Sequence, residues 1–273
     1  MQHHGDTMSR WIFLSKNGED EYINRFAKGS GCGIINTDNF VYEASTQPIV
    51  LRGILKHKIM HRCWQDGRRF YYMDTGYFGN TPGPGNPNGW KLWHRIVPDD
   101  LQHPDIRERA DDRWRRLGID LQPRRHGNRI IVAAPDEKPC RFYGIDRAAW
   151  LRDTVTTLQR ITKRPIEIRE RAPSRDQRVH HAPLSRELIS NTHAVVTFNS
   201  AAAIESILHG VPAFVLAPTH AAAPVANRDL ENIDDPYWPD QDKLHAWAAS
   251  LAYGQFHVME LDNGEAYRIL NEN

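Results

Sequence analysis

Long apolar runs are missing from this sequence. None approaches the ~20 residues that a membrane-spanning helix needs, and the mean hydropathy is negative. Cysteine is scarce: the three residues Cys32, Cys63 and Cys140 are odd in number and far apart. That pattern fits neither a disulfide framework nor a zinc motif, and a reducing, cytoplasmic setting is the simplest expectation. An excess of one charge is absent as well, since 35 Lys and Arg oppose 34 Asp and Glu for a formal net charge of +1. A uniformly basic nucleic-acid binder is thereby excluded, although a local patch is not. The opening residues, Met1-Gln-His-His-Gly-Asp, have no basic stretch leading into an apolar one. A secretion signal is therefore not expected, and His3 and His4 read as tail residues.

What is present suits an α/β protein. The 273 residues suffice for one large domain or two small ones. In the first half, strand-like runs at Trp11–Leu14, Ile34-Ile35, Ile49–Ile54 and Arg69–Met73 alternate with helical patterns at 19–27 and 56–64. Tyr22, Ile23 and Phe26 share one side of the first of these helices. Gly79–Gly89 is too rich in Pro and Gly for regular structure and reads as a long exposed loop.

The second half opens on the buried-strand pattern Arg129-Ile-Ile-Val-Ala-Ala and continues with a helix over 146–161, a strand over 165–169 and a helix over 184–190. A strand over 194–198, a helix over 200–209, and a strand over 211–216 after the helix stop Gly210 complete a βαβαβαβ series. The fold expected is therefore α/β with two Rossmann-like halves and a cleft between them. The expected boundaries are an N-terminal domain over 1–104, a charged connecting segment over 105–128, and a nucleotide-binding domain over 129–273. A late helix over 240–253, with Leu244, Trp247, Ala248 and Leu251 on one face, is expected to pack back on the first half. In the connecting segment arginines interleave with Asp105, Glu108, Asp111, Asp112 and Asp120. Such a mixture suits a solvated helix face better than a phosphate track.

The segment 195–215 carries the chemistry. Its strand ends at Phe198, and Asn199-Ser200 stand at the turn into a helix that begins Ala201-Ala-Ala. A capped helix start built of small residues lets a phosphate approach the backbone N–H groups and the positive end of the helix dipole. Glu205, about one and a half turns further in, can accept hydrogen bonds from ribose hydroxyls if it faces the strand ends. The plainer alternative is an ordinary βαβ unit with a serine cap and a surface glutamate.

Asn199-Ser200-Ala-Ala-Ala-Ile-Glu205 followed by His209-Gly210-Val-Pro212 resembles the donor-site signature of GT-B-fold glycosyltransferases and of their capsule-type and sialyltransferase-like relatives. The resemblance implies a metal-independent transferase in which Asn199 or Ser200, with Ala201, contacts the donor phosphate and Glu205 holds the nucleotide ribose. A nucleotide sugar, with a UDP-sugar first among them, would be the co-substrate. Non-hydrolysing nucleotide-sugar epimerases share the pattern. A second resemblance, carried by Phe70–Phe78, Trp93-His-Arg95 and Trp247–Phe256, is to a family of bacteriophage proteins. Some phage enzymes of this fold glycosylate hydroxymethylated DNA bases, so a DNA acceptor in a host cytoplasm is one implied option. A non-catalytic DNA-binding protein that keeps the fold is another.

The remaining candidates follow from position. Asp74 ends an apolar run before Thr75-Gly76 and is either the base for an acceptor hydroxyl or a cap of that turn. Lys138 and Arg141, after the first strand of the second half, either neutralise a departing diphosphate or belong to an exposed basic loop. Thr219 and His220 follow the last strand and are placed to contact the donor. Arg95 and Arg69 are candidates for acceptor or phosphate binding. His57 and His61 lie four apart on a helix but lack the glutamate and third ligand of a metal motif, so no metal site is expected. His180-His181 reads as loop.

Overall fold

The computed structural model describes residues 11–80, 92–170 and 184–272. The tail histidines, the Pro/Gly-rich stretch beyond Asn80 and the pair His180-His181 lie outside the described residues. The chain forms two compact units, one taking residues up to Leu101 and from Ala252 onward, the other taking Gln102–Leu251.

In the first unit β1 (Ile12–Ser15), β2 (Ile34–Asn36), β3 (Ile49–Arg52) and β4 (Phe70–Thr75) are parallel and lie in the order β2-β1-β3-β4. β5 (Trp93–Pro98) adds antiparallel to β4, and β10 (Gln255–His257) antiparallel to β5. The three inner parallel strands are buried at almost every position, as strands covered on both faces must be. On one face α1 (Glu21–Ser30) turns Ile23, Phe26 and Ala27 onto Phe13, Val50 and Met73, and Trp11 stacks on Tyr71 with ring centroids 4.0 Å apart. Asp20 starts α1 by accepting the N–H groups of Tyr22 and Ile23, at 3.2 Å each. α2 (His57–Asp66) packs by Trp64 against Phe70.

The second unit is a four-stranded parallel sheet in the order β7-β6-β8-β9, made of β6 (Arg129–Ala133), β7 (Ile166–Arg169), β8 (Thr192–Thr197) and β9 (Ala213–Val215). All six residues of β8 are buried. α5 (Arg147–Ile161) covers one face through Leu158 against Ile130, Val132, Val196 and Phe214. α6 (Leu184–Ile189) and α7 (Ala202–Leu208) cover the other, on Ile131, Val195 and Val211. α3 (Asp112–Leu117), α4 (Glu137–Tyr143) and α8 (Gln241–Tyr253) complete the helices of this unit. Leu244, Trp247, Ala248 and Leu251 of α8 are buried together, as their spacing predicts.

The parallel strands of both units therefore follow the same order: second, first, third, fourth. In each the chain crosses in opposite directions from the first strand, which is the two Rossmann-like halves anticipated from the sequence.

The divisions of the chain differ from those expected at 104 and 128. Residues 102–128 are part of the second unit. The Arg107 N–H donates to Ser250 Oγ, the Gln122 N–H to the Leu208 carbonyl and the Arg125 N–H to the Gly210 carbonyl. Arg115 and Arg116 pair with Asp111 and Asp112 one turn away in exposed contacts, which is the solvated helix face. Residues 252–273, by contrast, belong to the first unit, where β10 supplies its last strand.

Gly210 is more than a helix stop. Its φ is +78°, and a Cβ there would stand 2.0 Å from the Pro123 carbonyl oxygen. Gly144, at φ +68°, has nothing within 4 Å of the same position. Gly144→Ala is expected to cost about 1 kcal/mol, the strain of a left-handed alanine. Gly210→Ala should cost about 1–3 kcal/mol more, because the 122–125 strap has to move. Urea unfolding of the two variants checks this, and equal losses would refute the close packing.

Candidate functional site

In an open parallel sheet, ligands bind outside the carboxyl ends of the strands where adjacent connections diverge. In the second unit that point lies between β6 and β8. It is bounded by Ala134–Asp136 after β6, by Phe198–Ala201 after β8 and by Leu216–Ala222 after β9.

The turn after β8 is held from beneath by hydroxyls. Thr197, the last residue of a wholly buried strand, donates its Oγ1–H to the Ala133 carbonyl at 3.2 Å and accepts the Ser200 N–H at 3.3 Å. Ser200 Oγ in turn accepts the Ala202 N–H at 3.2 Å, which caps the start of α7. The backbone N–H groups of Ser200, Ala202 and Ala203 are thus satisfied within the protein, the last by the Ser200 carbonyl. Fewer of them face outward than the helix start suggested. What the turn still offers is the Ser200 hydroxyl proton and the Asn199 amide side chain, both half-exposed beside the exposed Ala201.

Two side chains hold the carbonyls of the same turn. Gln102 Nε2–H donates to the Asn199 carbonyl at 2.9 Å while its Oε1 accepts the Ala221 N–H at 3.0 Å. His220 is fully buried. Its Nδ1 accepts the Ala222 N–H at 2.9 Å, so the ring proton sits on Nε2, which donates to the Ser200 carbonyl at 3.1 Å. The Trp247 indole N–H reaches the Ala221 carbonyl at 2.7 Å. His220 is therefore a positioning residue rather than a donor contact, because burial and two backbone partners occupy its ring. Thr219 is half-exposed, with its hydroxyl 3.3 Å from the Tyr143 hydroxyl at the end of α4. Tyr143 also packs edge-on to Phe198 at 5.3 Å. Gln102 and Trp247 carry no local motif, and nothing in their sequence neighbourhood points to this role.

The other second-half candidates are Glu205, Lys138 and Arg141. Lys138 in the first turn of α4 and Arg141 in its last are exposed, with no ion pair among the described residues. Glu205 is half-buried and accepts the Ser185 N–H at the start of α6. Burial raises its pKa, and the nearby His209 and Arg169 charges and the Ser185 N–H only partly offset this. Arg169 itself pairs with Glu187 at 2.9 Å.

The first-half candidates belong to the first unit. Asp74 is at the carboxyl end of β4, as expected. Its Oδ2 accepts the Tyr72 hydroxyl at 2.5 Å and Arg95 Nη2 at 3.3 Å, and its Oδ1 accepts the Thr75 N–H at 2.8 Å. Burial would raise its pKa, but Arg95, Tyr72 and Thr75 outweigh that and hold the carboxyl below its ordinary value. A carboxylate so fully bonded is a weak base, and its geometry is that of a structural link. Arg95 spends its guanidinium on Asp74, the Thr75 carbonyl and the Leu101 carbonyl, between the rings of Tyr72 and Tyr77. Arg69 precedes β4 at the amino end of the sheet, opposite the ligand-binding edge, and pairs with Asp99 at 3.2 Å.

Among the described residues no three His, Cys, Asp or Glu side chains gather as a metal site. Asp240-Gln241-Asp242, an Asp-x-Asp sequence, starts α8, where Asp240 Oδ1 accepts the Lys243 N–H at 2.8 Å. No helix among the described residues is long and apolar enough to cross a membrane.

No protein-family profile matches the chain and no curated protein matches it. Solved structures do. A KpsC β-Kdo 2,4 transferase of Thermosulfurimonas dismutans superposes with a TM-score of 0.53 at 10% identity, over 91% of this chain and 92% of that one. A KpsC β-Kdo 2,7 transferase of the same organism superposes with a TM-score of 0.52 at 10% identity, over 95% and 99%. An S. aureus MnaA–UDP co-structure reaches a TM-score of only 0.29 and bears on nothing here. The chain shares the fold of the two transferases along nearly its whole length.

Asp74→Asn is expected to lower stability at neutral pH by about 1 kcal/mol, since it weakens charge-assisted hydrogen bonds from the half-buried Arg95 to a carboxylate partly screened by solvent. A depressed carboxyl pKa stabilises the fold above the unfolded value and ceases to do so as pH falls through the folded value. The gap between variant and wild type should therefore be full above about pH 5 and close below about pH 4. Urea midpoints across that range test it, and a gap independent of pH would show that the charge is not what matters.

Proposed function

We propose that this protein is a glycosyltransferase that moves a sugar from a nucleotide-sugar donor to an acceptor hydroxyl. The observation that carries the reading is the turn Asn199–Ala201 at the divergence of β6 and β8. Five residues, Thr197, Ser200, Gln102, His220 and Trp247, order it and its surroundings through hydrogen bonds. A turn held that rigidly, with a hydroxyl and small side chains facing outward, suits a phosphate that must be held in one place while its bond to the sugar breaks.

In this reading the Ser200 hydroxyl and the Asn199 amide donate to the donor phosphate, and Lys138, with Arg141, supplies positive charge as the nucleotide departs. Glu205 has no ion-pair partner among the described residues, and a ribose diol donating to it would satisfy the lone pairs that Ser185 leaves open. Thr219 lies beside Tyr143 on the same rim. The shared fold with two transferases supports the architecture such a reaction uses. The first unit is the acceptor side. The exposed arginines at 115 and 116 are paired with neighbouring aspartates, which does not favour the DNA acceptor implied by the phage resemblance, so the acceptor is proposed only as a hydroxyl. A UDP-sugar is the first donor to try.

Calorimetry with a panel of uridine, guanosine, thymidine and cytidine nucleotide sugars tests the reading. At least one should bind, and Ser200→Ala and Glu205→Gln should each weaken it about tenfold, the loss of one hydrogen bond to a charged group. Because burial raises the Glu205 pKa, ionising it opposes folding at neutral pH, and Glu205→Gln should unfold no earlier than wild type. Unchanged nucleotide affinity in both variants would overturn the donor site. Sugar isomerisation with donor alone would replace transfer by epimerisation.

A further inference from the structure

The first unit has the same strand order as the second, and hence its own divergence point, between β1 and β3. The side chains there differ from those at β6 and β8. Arg52 is the last residue of β3, and Lys56 ends the 3₁₀ turn Ile54–Lys56 that follows. Both lie near Asp20, the cap of α1. Arg52 Nη1 pairs with Asp20 Oδ2 at 3.3 Å, and its guanidinium lies 4.7 Å over the centre of the Tyr22 ring. That leaves the edge formed by Nε and Nη2, the edge that receives an oxyanion side-on. Its Nε is buried and has no hydrogen-bond partner.

The Lys56 side chain is half-buried, and its ammonium donates to the Leu14 carbonyl at 3.2 Å. Burial pushes its pKa down, Asp20 pulls it partly back, and Arg52 adds a smaller push downward. Both cations draw on Asp20, a carboxylate that already serves the α1 N–H groups, and Arg52 faces Asp74 as well. Folding holds two like charges together here around a carboxylate that is already engaged. Such an arrangement costs stability by itself and is relieved by an anion.

We propose that the carboxyl edge of β1 and β3 binds an oxyanion, a carboxylate or a phosphate carried by the acceptor, between Arg52 and Lys56. The acceptor part rests on the glycosyl-transfer reading; the oxyanion part does not.

Titration of the full chain with inorganic phosphate and with glucuronate, followed by NMR at constant ionic strength in potassium chloride, tests the proposal and separates the two sources. Saturation by either ion is the expected result, phosphate alone marking a phosphorylated acceptor and glucuronate alone an acidic sugar. Lys56→Gln should weaken it about tenfold, and Lys58→Gln, an exposed neighbour on α2, should leave it unchanged. Arg52→Lys, which keeps the charge and loses the side-on edge, should weaken it as well and covers the case in which Lys56→Gln misfolds. The thermal midpoint of Lys56→Gln should equal or exceed that of wild type. No saturable binding of either ion, or equal affinities in Lys56→Gln and Lys58→Gln, would overturn the site. Nucleotide-sugar binding should survive Lys56→Gln. If nucleotides fail to bind while the Lys56-dependent oxyanion binds, the donor reading falls and this site stands.

Discussion

A strand buried along its whole length cannot release its chain into solvent without satisfying the polar groups of the turn that follows. β8 is such a strand, and the turn after it is the feature on which the second unit's candidate site depends. Thr197 ties the strand end to β6, Ser200 caps α7, and Gln102 and His220 take the two carbonyls. Apart from Ser200, the groups that order the backbone are buried. A ligand meeting Ser200 meets an atom whose position is already determined, so little ordering entropy is lost on binding.

The two units carry different side chains at the same point of one strand order. Between β6 and β8 the side chains are small or hydroxylic, leaving room for a phosphate near the backbone. Between β1 and β3 they are long and cationic, with Arg52 laid over Tyr22 and Lys56 reaching back to Leu14. Parallel strands bring the ends of successive connections together in both cases, and which residues occupy those ends decides what can bind. The Asp74–Arg95–Tyr72 group does the opposite. It has the charge and position of an active-site cluster, but its members satisfy one another and link β4 to β5.

The strands and helices that build the two parallel sheets were legible because the apolar pattern changes period where the structure does. Trp11–Leu14, Ile49–Leu51, Ile130–Val132 and Ala194–Val196 are continuous apolar runs, while Leu244, Trp247, Ala248 and Leu251 repeat at helical spacing. β5, β10 and the short helices Val258–Asp262 and Glu265–Asn271 left no such trace. Trp93-His-Arg and Gln255-Phe-His mix polar and apolar residues, and each becomes a strand only because its partner is there to pair with it.

The candidate site divides in the same way. The sequence by itself determined that a small-residue helix start follows a buried strand at Asn199–Ala203 and that Gly210 ends the helix, since both are local properties of backbone and side-chain size. Tertiary structure alone decided which neighbours hold the turn and which are left to face outward. Gln102 reaches Asn199 from 97 residues away, His220 turns inward to hold the Ser200 carbonyl, and Asp74 is consumed by Arg95. Hydrogen bonds between distant segments depend on where the sheet and its connections bring those segments. No spacing along the chain encodes them.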